Sequence, residues 1–255
     1  MTQTQYQGLI VTTGLLFILM IVMNVLANAL PINGETTGGV SYRYPNLFQP
    51  SGSTFSIWGI IYLCLGAIVI YLFTEWKTPI DQVGSDQIKV MVLFGVSSLL
   101  NVGWLLLWHH HRIILSTVVI ILLLVSLLLI SSYAKESHWL VKTGFSIYAG
   151  WISIATIANI TIALVSKGIP SFSNRAIFIT VVVLIIGLII GLIYVISQKD
   201  FVFGLVFIWA YAGILIRHIN QESLSQSYPA IIVTTSISIF FLLMSIILVL
   251  IQLKK

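Results

Sequence analysis

Charge is what this sequence most lacks. Only 7% of its 255 residues are Asp, Glu, Lys or Arg, against about 25% in an ordinary globular domain. A water-soluble fold covers its surface with polar groups, and this chain has too few of them. The shortage excludes a soluble domain and is the expected state of a chain whose surface faces hydrocarbon. Cysteine is nearly absent too. Cys64 stands alone, so it forms no internal disulfide and no zinc site by itself, and the redox compartment stays undetermined. Carboxylates are missing from the apolar stretches. Glu35, Glu75, Asp81, Asp86, Glu136, Asp200 and Glu222 all fall in loops or at span ends. Ion-coupled transporters commonly use Asp, Glu or His inside the membrane, so this absence counts against that class. There is also no paired-carboxylate, Ser/His/Asp or Cys/His constellation and no strand followed by a glycine-rich phosphate loop. The chain is therefore read as a non-enzyme that needs no cofactor.

What is present is apolar sequence in long runs. Hydrophobic residues make up 58% of the chain and the mean hydropathy is +1.07. About 18 or more consecutive apolar residues span a bilayer as a helix, whereas barrel strands show short alternating segments. Eight such runs recur, near 9–30, 54–73, 88–108, 113–133, 139–165, 176–197, 201–218 and 230–253. The fold class predicted is all-α, a polytopic transmembrane bundle. The connections are short except for 31–53, which is rich in Gly, Pro, Asn, Ser and Tyr. Loops of that length inside compact folds are usually lids or binding loops. The first run is read as a retained helix and not a signal peptide, because no Lys or Arg precedes Arg43.

The twelve Lys and Arg residues, with a net charge of +5, are scattered singly between the runs. That pattern sets topology and meets lipid headgroups; no basic stripe suggests nucleic acid. With the N-terminus inside, the inner segments hold Lys77, Lys89, Lys135, Lys142, Lys199, Lys254 and Lys255, and the outer ones Arg43, Arg112, Lys167, Arg175 and Arg217. Seven basic residues inside against five outside favour an N-in, C-in arrangement with the 31–53 loop outside.

The polar and aromatic residues inside the runs are patterned. Trp58, Tyr62 and Gly66 recur every four residues on one helix face. Asn101, Trp104 and Trp108 share a face of the third run, and Trp151, Ala155 and Asn159 a face of the fifth. Asn24 and Asn28 add a fourth. An amide facing lipid is costly, so these faces turn inward. Converging, they would wall a mostly apolar small-molecule pocket with a few orienting amides. Aromatics at helical spacing that only pack, with Asn as interhelical glue, fit the same pattern. Trp76, Trp108 and Trp139 lie near span ends, where an aromatic belt accounts for them. His109, His110 and His111 point about 100° apart on a helix, so the three do not face one metal and are read as an interfacial cluster beside Arg112. Two further features stay open: Gly187-x3-Gly191 is either a close helix contact or a coincidence, and Trp209-Ala210-Tyr211 either lines a cavity or packs.

Three blocks resemble the TspO/MBR family, the tryptophan-rich sensory proteins that include the mitochondrial translocator protein. They are Pro45-x4-Pro50-x7-Trp58-x3-Tyr62-x3-Gly66, Asn101-x2-Trp104 with Arg112 beyond it, and Trp151-x3-Ala155-x3-Asn159. The resemblance covers about 9–165 and implies a five-helix membrane domain over 1–166, followed by a three-helix segment over 167–255. It also implies a multi-pass protein of the bacterial plasma membrane, often a homodimer. The ligand it implies is lipophilic: a porphyrin, haem or other tetrapyrrole, or a sterol, held beneath the loop after the first helix. The protein would then serve as a receptor, sensor or transport factor; a permease for a small lipophilic substrate is the alternative. Carried over, the binding residues are Pro50, Trp58, Tyr62, Asn101, Trp104, Trp151, Ala155 and Asn159. Some family members degrade protoporphyrin in light, and Trp58 and Trp151 would be the residues implicated. Two departures bear on ligand identity. The loop reads Leu47-Phe48-Gln49-Pro50, without the family's Trp and second Pro, and Trp108-His109-His110-His111 stands where the family has a Phe pair.

Overall fold

The computed structural model describes residues 1–30, 32–220 and 224–253. Pro31, Glu222, Lys254 and Lys255 therefore lie outside the described residues. Eight helices in it are long and apolar enough to cross a membrane, and the all-α expectation holds. They are α1 (Gln3–Ala29), α2 (Ile57–Thr74), α3 (Ser85–His109), α4 (Ile113–Tyr133), α5 (Trp139–Ser166), α6 (Asn174–Gln198), α7 (Phe201–Ile219) and α8 (Pro229–Leu253).

Local chemistry sets several ends. Thr2 caps α1 in a capping box with Gln5, so this helix starts six residues before the apolar run that marks it. The capping pair is polar and hydropathy does not see it. Ser173 and Asp200 accept hydrogen bonds from the backbones of Ala176 and Phe203, which opens α6 and α7. Lys199, at φ 52°, ends α6 in the left-handed conformation and turns the chain sharply into α7. The 31–53 segment is not all loop. It contains a short helix, Thr37–Arg43, and a 3-10 turn, Gly52–Ser56, leads into α2.

Contacts divide the chain into two units. The first comprises Met1–Val40 and Trp58–Ile152; the second comprises Ser41–Ile57 and Ser153–Lys255. In the first, α1 packs on α3 and α3 on α4. Phe94 meets Phe145 edge-on at 5.1 Å, and Gly144 lets α5 approach α2 so closely that a Cβ there would lie 2.7 Å from Ile68 Cδ1. In the second, α6, α7 and α8 pack together, with Val195, Ile246 and Val249 in their core. The Gly187 and Gly191 pair is a close helix contact. A Cβ on Gly191 would come within 3.0 Å of Leu242 and 3.1 Å of Phe207. The outward faces are apolar: Leu63, Ile70 and Phe178 are at least two-thirds exposed (76%, 69% and 69%). Exposed apolar patches on this scale mark a surface that meets lipid, not water.

Candidate functional site: an aromatic cluster and a braced loop

Within the first unit, the indole and phenol stripes meet. Trp58 is the hub. Its ring stacks on Tyr62 at 5.4 Å and on Trp104 at 6.4 Å. It meets Tyr148 and Trp151 edge-on at 6.1 and 6.3 Å. These separations lie in the range of favourable aromatic pairs. Trp104 in turn stacks on Trp108 at 6.0 Å. Trp104, Tyr148 and Trp151 are buried, and Trp58 and Tyr62 are partly exposed. Helices α2, α3 and α5 thus bring one face each to a common point.

Asn101 sits beside this cluster and is fully engaged. Its Oδ1 accepts from Asn24 Nδ2 at 2.8 Å, and its Nδ2 donates to the Tyr148 hydroxyl at 2.9 Å. Asn24 also donates to the Met20 carbonyl, and Tyr148 donates to the Met20 sulfur. One buried chain of polar groups therefore ties α1, α3 and α5 together. Tyr148 joins both the ring cluster and this chain, yet the sequence stripes passed over it. Its signal was present, three residues before Trp151 and so on the same helix face.

The histidine run separates into three environments. His109 is buried, with Nδ1 at 3.2 Å from the Ile32 carbonyl and Nε2 at 3.1 Å from the Thr37 hydroxyl. It links the end of α3 to the chain after α1. His110 is exposed and contacts the Leu106 carbonyl, while His111, at φ 55°, lies 3.8 Å from Glu35. Among the described residues no group of three or more His, Cys, Asp or Glu is placed to hold a metal. Trp108 donates its indole N–H to the Thr37 carbonyl, while Trp139 is 64% exposed.

The other three sequence-derived residues belong to the second unit. Pro50 and Asn159 are buried there and Ala155 is half-buried. Ala155 and Asn159 continue the α5 face of Trp151 at i+4 and i+8.

The second unit also contains a feature that composition did not reveal. Residues 46–50 are irregular in backbone and all buried. Buried loops are uncommon because their N–H and C=O groups need partners. Helix α7 supplies them. Arg217 Nη1 donates to the carbonyls of Asn46 and Gln49, both at 2.8 Å. His218 Nε2 lies 2.9 Å from the Leu47 carbonyl; a carbonyl only accepts, so that nitrogen carries the proton. Trp209 donates its indole N–H to the Thr54 carbonyl at 2.9 Å, and the Gly213 carbonyl accepts from the Ser51 backbone N–H at 3.0 Å. A Cβ on Gly213 would overlap the Thr54 side chain, so glycine is required where the loop touches the helix. Within the Trp209–Tyr211 stretch, Trp209 holds the loop and Tyr211 is buried, donating to the Leu184 carbonyl.

These observations define a class: a multi-pass helical membrane protein with an intramembrane cluster of indoles and phenols. The family model for TSPO-like proteins matches residues 10–249, and the chain belongs to that family. The match runs on through α6, α7 and most of α8, the helices that the three motif blocks do not reach. No curated protein and no solved structure matches the chain.

Proposed function

We propose that the protein binds a lipophilic ligand, a porphyrin or related tetrapyrrole or a sterol-like molecule, at the faces of Trp58, Tyr62, Trp104 and Trp151. It acts as a sensor or transport factor in this reading. The observation that carries it is the meeting of Trp58 with four other aromatic rings from three helices. Flat aromatic faces suit a flat, polarisable ligand, and Trp and Tyr are the side chains that most often dominate a binding site. Binding is favoured over catalysis because the polar groups beside the cluster, Asn101 and Tyr148, are committed to each other. The family resemblance also names Pro50, Ala155 and Asn159, which belong to the second unit. The count of seven inner basic residues against five outer ones supports an N-terminus on the cytoplasmic side of a bacterial plasma membrane.

The test is titration of protoporphyrin into the purified protein in maltoside micelles, read from the porphyrin absorbance band. That readout does not depend on the tryptophans that are changed. The Trp58→Phe/Trp151→Phe variant is expected to bind at least about tenfold more weakly, the scale of a lost aromatic anchor. Unchanged affinity would place the ligand elsewhere. Illuminating the same complex and following loss of the band separates a passive binder from a porphyrin-degrading protein.

A further inference from the structure

A cleft opens at the far end of α2 from the aromatic cluster. It has a volume of about 270 Å³ and is lined from the end of α2, the start of α3, the end of α4 and the turn into α5. Trp58 stands on the first turn of α2 and Tyr71 on the last. At a rise of 1.5 Å per residue the cleft is about 20 Å along that helix from the aromatic hub. All of its lining residues belong to the first unit.

The lining is graded. The deep wall is Ile68, Met91 and Phe94, each no more than 1% exposed. The mouth carries Tyr71, Tyr133 and Glu136. His138 stacks on Tyr71 at 4.8 Å and completes an aromatic wall. No lysine or arginine lines the cleft. Of its two carboxylates, Asp86 is neutralised by Lys89 at 2.8 Å. Glu136 has no ion-pair partner among the described residues. Lys89 Nζ lies 4.5 Å above the Tyr133 ring, a cation–π arrangement, so that ring already carries an ammonium and Glu136 is the acid left to meet another.

We propose that this cleft binds a compact amphipathic amine, with its apolar body on Ile68, Met91 and Phe94 and its ammonium at Glu136, on the side of Tyr71. The volume lies just below the roughly 300–1,000 Å³ of drug-sized sites, so the occupant is small. A free amine and the ammonium headgroup of a phospholipid share this chemistry, because the cleft lies at helix ends, where headgroups are.

Calorimetric titration of 2-phenylethylamine into the full chain in maltoside micelles, which contain no amine, tests the assignment. The neutral isostere 2-phenylethanol serves as comparison. The amine is expected to bind more tightly than the alcohol. Glu136→Gln should weaken it about threefold to tenfold, as for one partly exposed charge contact. Ser137→Trp, which fills the mouth from a half-buried turn position, should abolish binding. Asp81→Asn, a nearby carboxylate that does not line the cleft, should leave it unchanged. Helical circular dichroism of each variant checks the fold. Competition by added phosphatidylethanolamine identifies a lipid as the occupant, and its absence identifies a free amine. Equal affinity for amine and alcohol, no binding of the amine, or wild-type affinity in Ser137→Trp overturns the proposal.

Discussion

Replacing Arg217 with Met is expected to loosen residues 46–54 without unfolding the helices. The substitution keeps an apolar stem and removes the donor shared by the Asn46 and Gln49 carbonyls at 2.8 Å. A hydrogen bond to a charged group contributes about 1.5–3 kcal/mol, and a stranded buried acceptor costs about 1–3 kcal/mol. Arg217 is itself half-buried and one nitrogen serves both carbonyls, so about 2 kcal/mol for the pair is the sensible figure within that range. Asn46 and Gln49 are only 6% and 4% exposed, so water reaches their carbonyls only when the segment opens. At 1.4 kcal/mol per tenfold, the opening equilibrium should rise about thirtyfold. Hydrogen exchange followed by mass spectrometry in micelles reads this directly. The amides of Phe48, Ser51 and Thr54 are the reporters, because they bond to the Asn46 side chain, the Gly213 carbonyl and the Ser51 carbonyl. They should exchange about thirtyfold faster, while peptides covering 94–108 keep their wild-type rate. Arg217→Lys retains the charge but not the guanidinium reach and should fall between the two. Unchanged exchange at 46–54, or an equal rise at 94–108, would refute the reasoning.

Two further outcomes rest on the helix contacts. Asn101→Leu removes one partner each from the Asn24 amide and the Tyr148 hydroxyl, which keep their bonds to Met20; each of the two lost intramembrane hydrogen bonds averages about 0.6 kcal/mol. A loss of about 1–2 kcal/mol should lower the thermal midpoint by about 2–8 °C, and an unchanged midpoint would show that the polar chain contributes nothing net. Gly191→Leu places a branched side chain where even a Cβ comes within 3.0 Å of Leu242 and 3.1 Å of Phe207. Overpacking of this kind costs about 1–3 kcal/mol, read as weaker resistance to unfolding in a denaturing-detergent titration.

The sequence made the helices legible because bilayer spanning needs continuous apolar length, and hydropathy measures that length. It made the hub residues legible for a related reason. An Asn amide is costly against lipid, so the faces that Asn101 and Asn159 share with indoles had to turn inward, and Trp58, Trp104 and Trp151 do meet. Periodicity did not distinguish a face that lines a site from one that ties helices together. Asn101 shows why: its spacing is the same in both cases, and only the positions of Asn24 and Tyr148 on other helices reveal that its amide is committed. Tyr148 went unnoticed because a tyrosine next to an indole stripe adds little to a pattern that a tryptophan already marks.

Arg217 and His218 were harder to read for a different reason. At the end of an apolar run, a basic residue has a ready explanation in membrane topology, and Arg217 fits it. The competing explanation lies more than 160 residues away in sequence, in a segment of mixed composition with no periodicity. What links the two is backbone accounting. Residues 46–50 contain Pro and Asn, form no regular element and are nevertheless buried, so each of their carbonyls needs a donor from another part of the chain. A guanidinium is suited to this, since it brings several fixed donors on one stem and stays charged when buried. Two residues of the Leu47-Phe48-Gln49 stretch, Leu47 and Gln49, offer the carbonyls that α7 engages. The helices beyond Ser166 hold that loop, and in this chain they are an integral part of it.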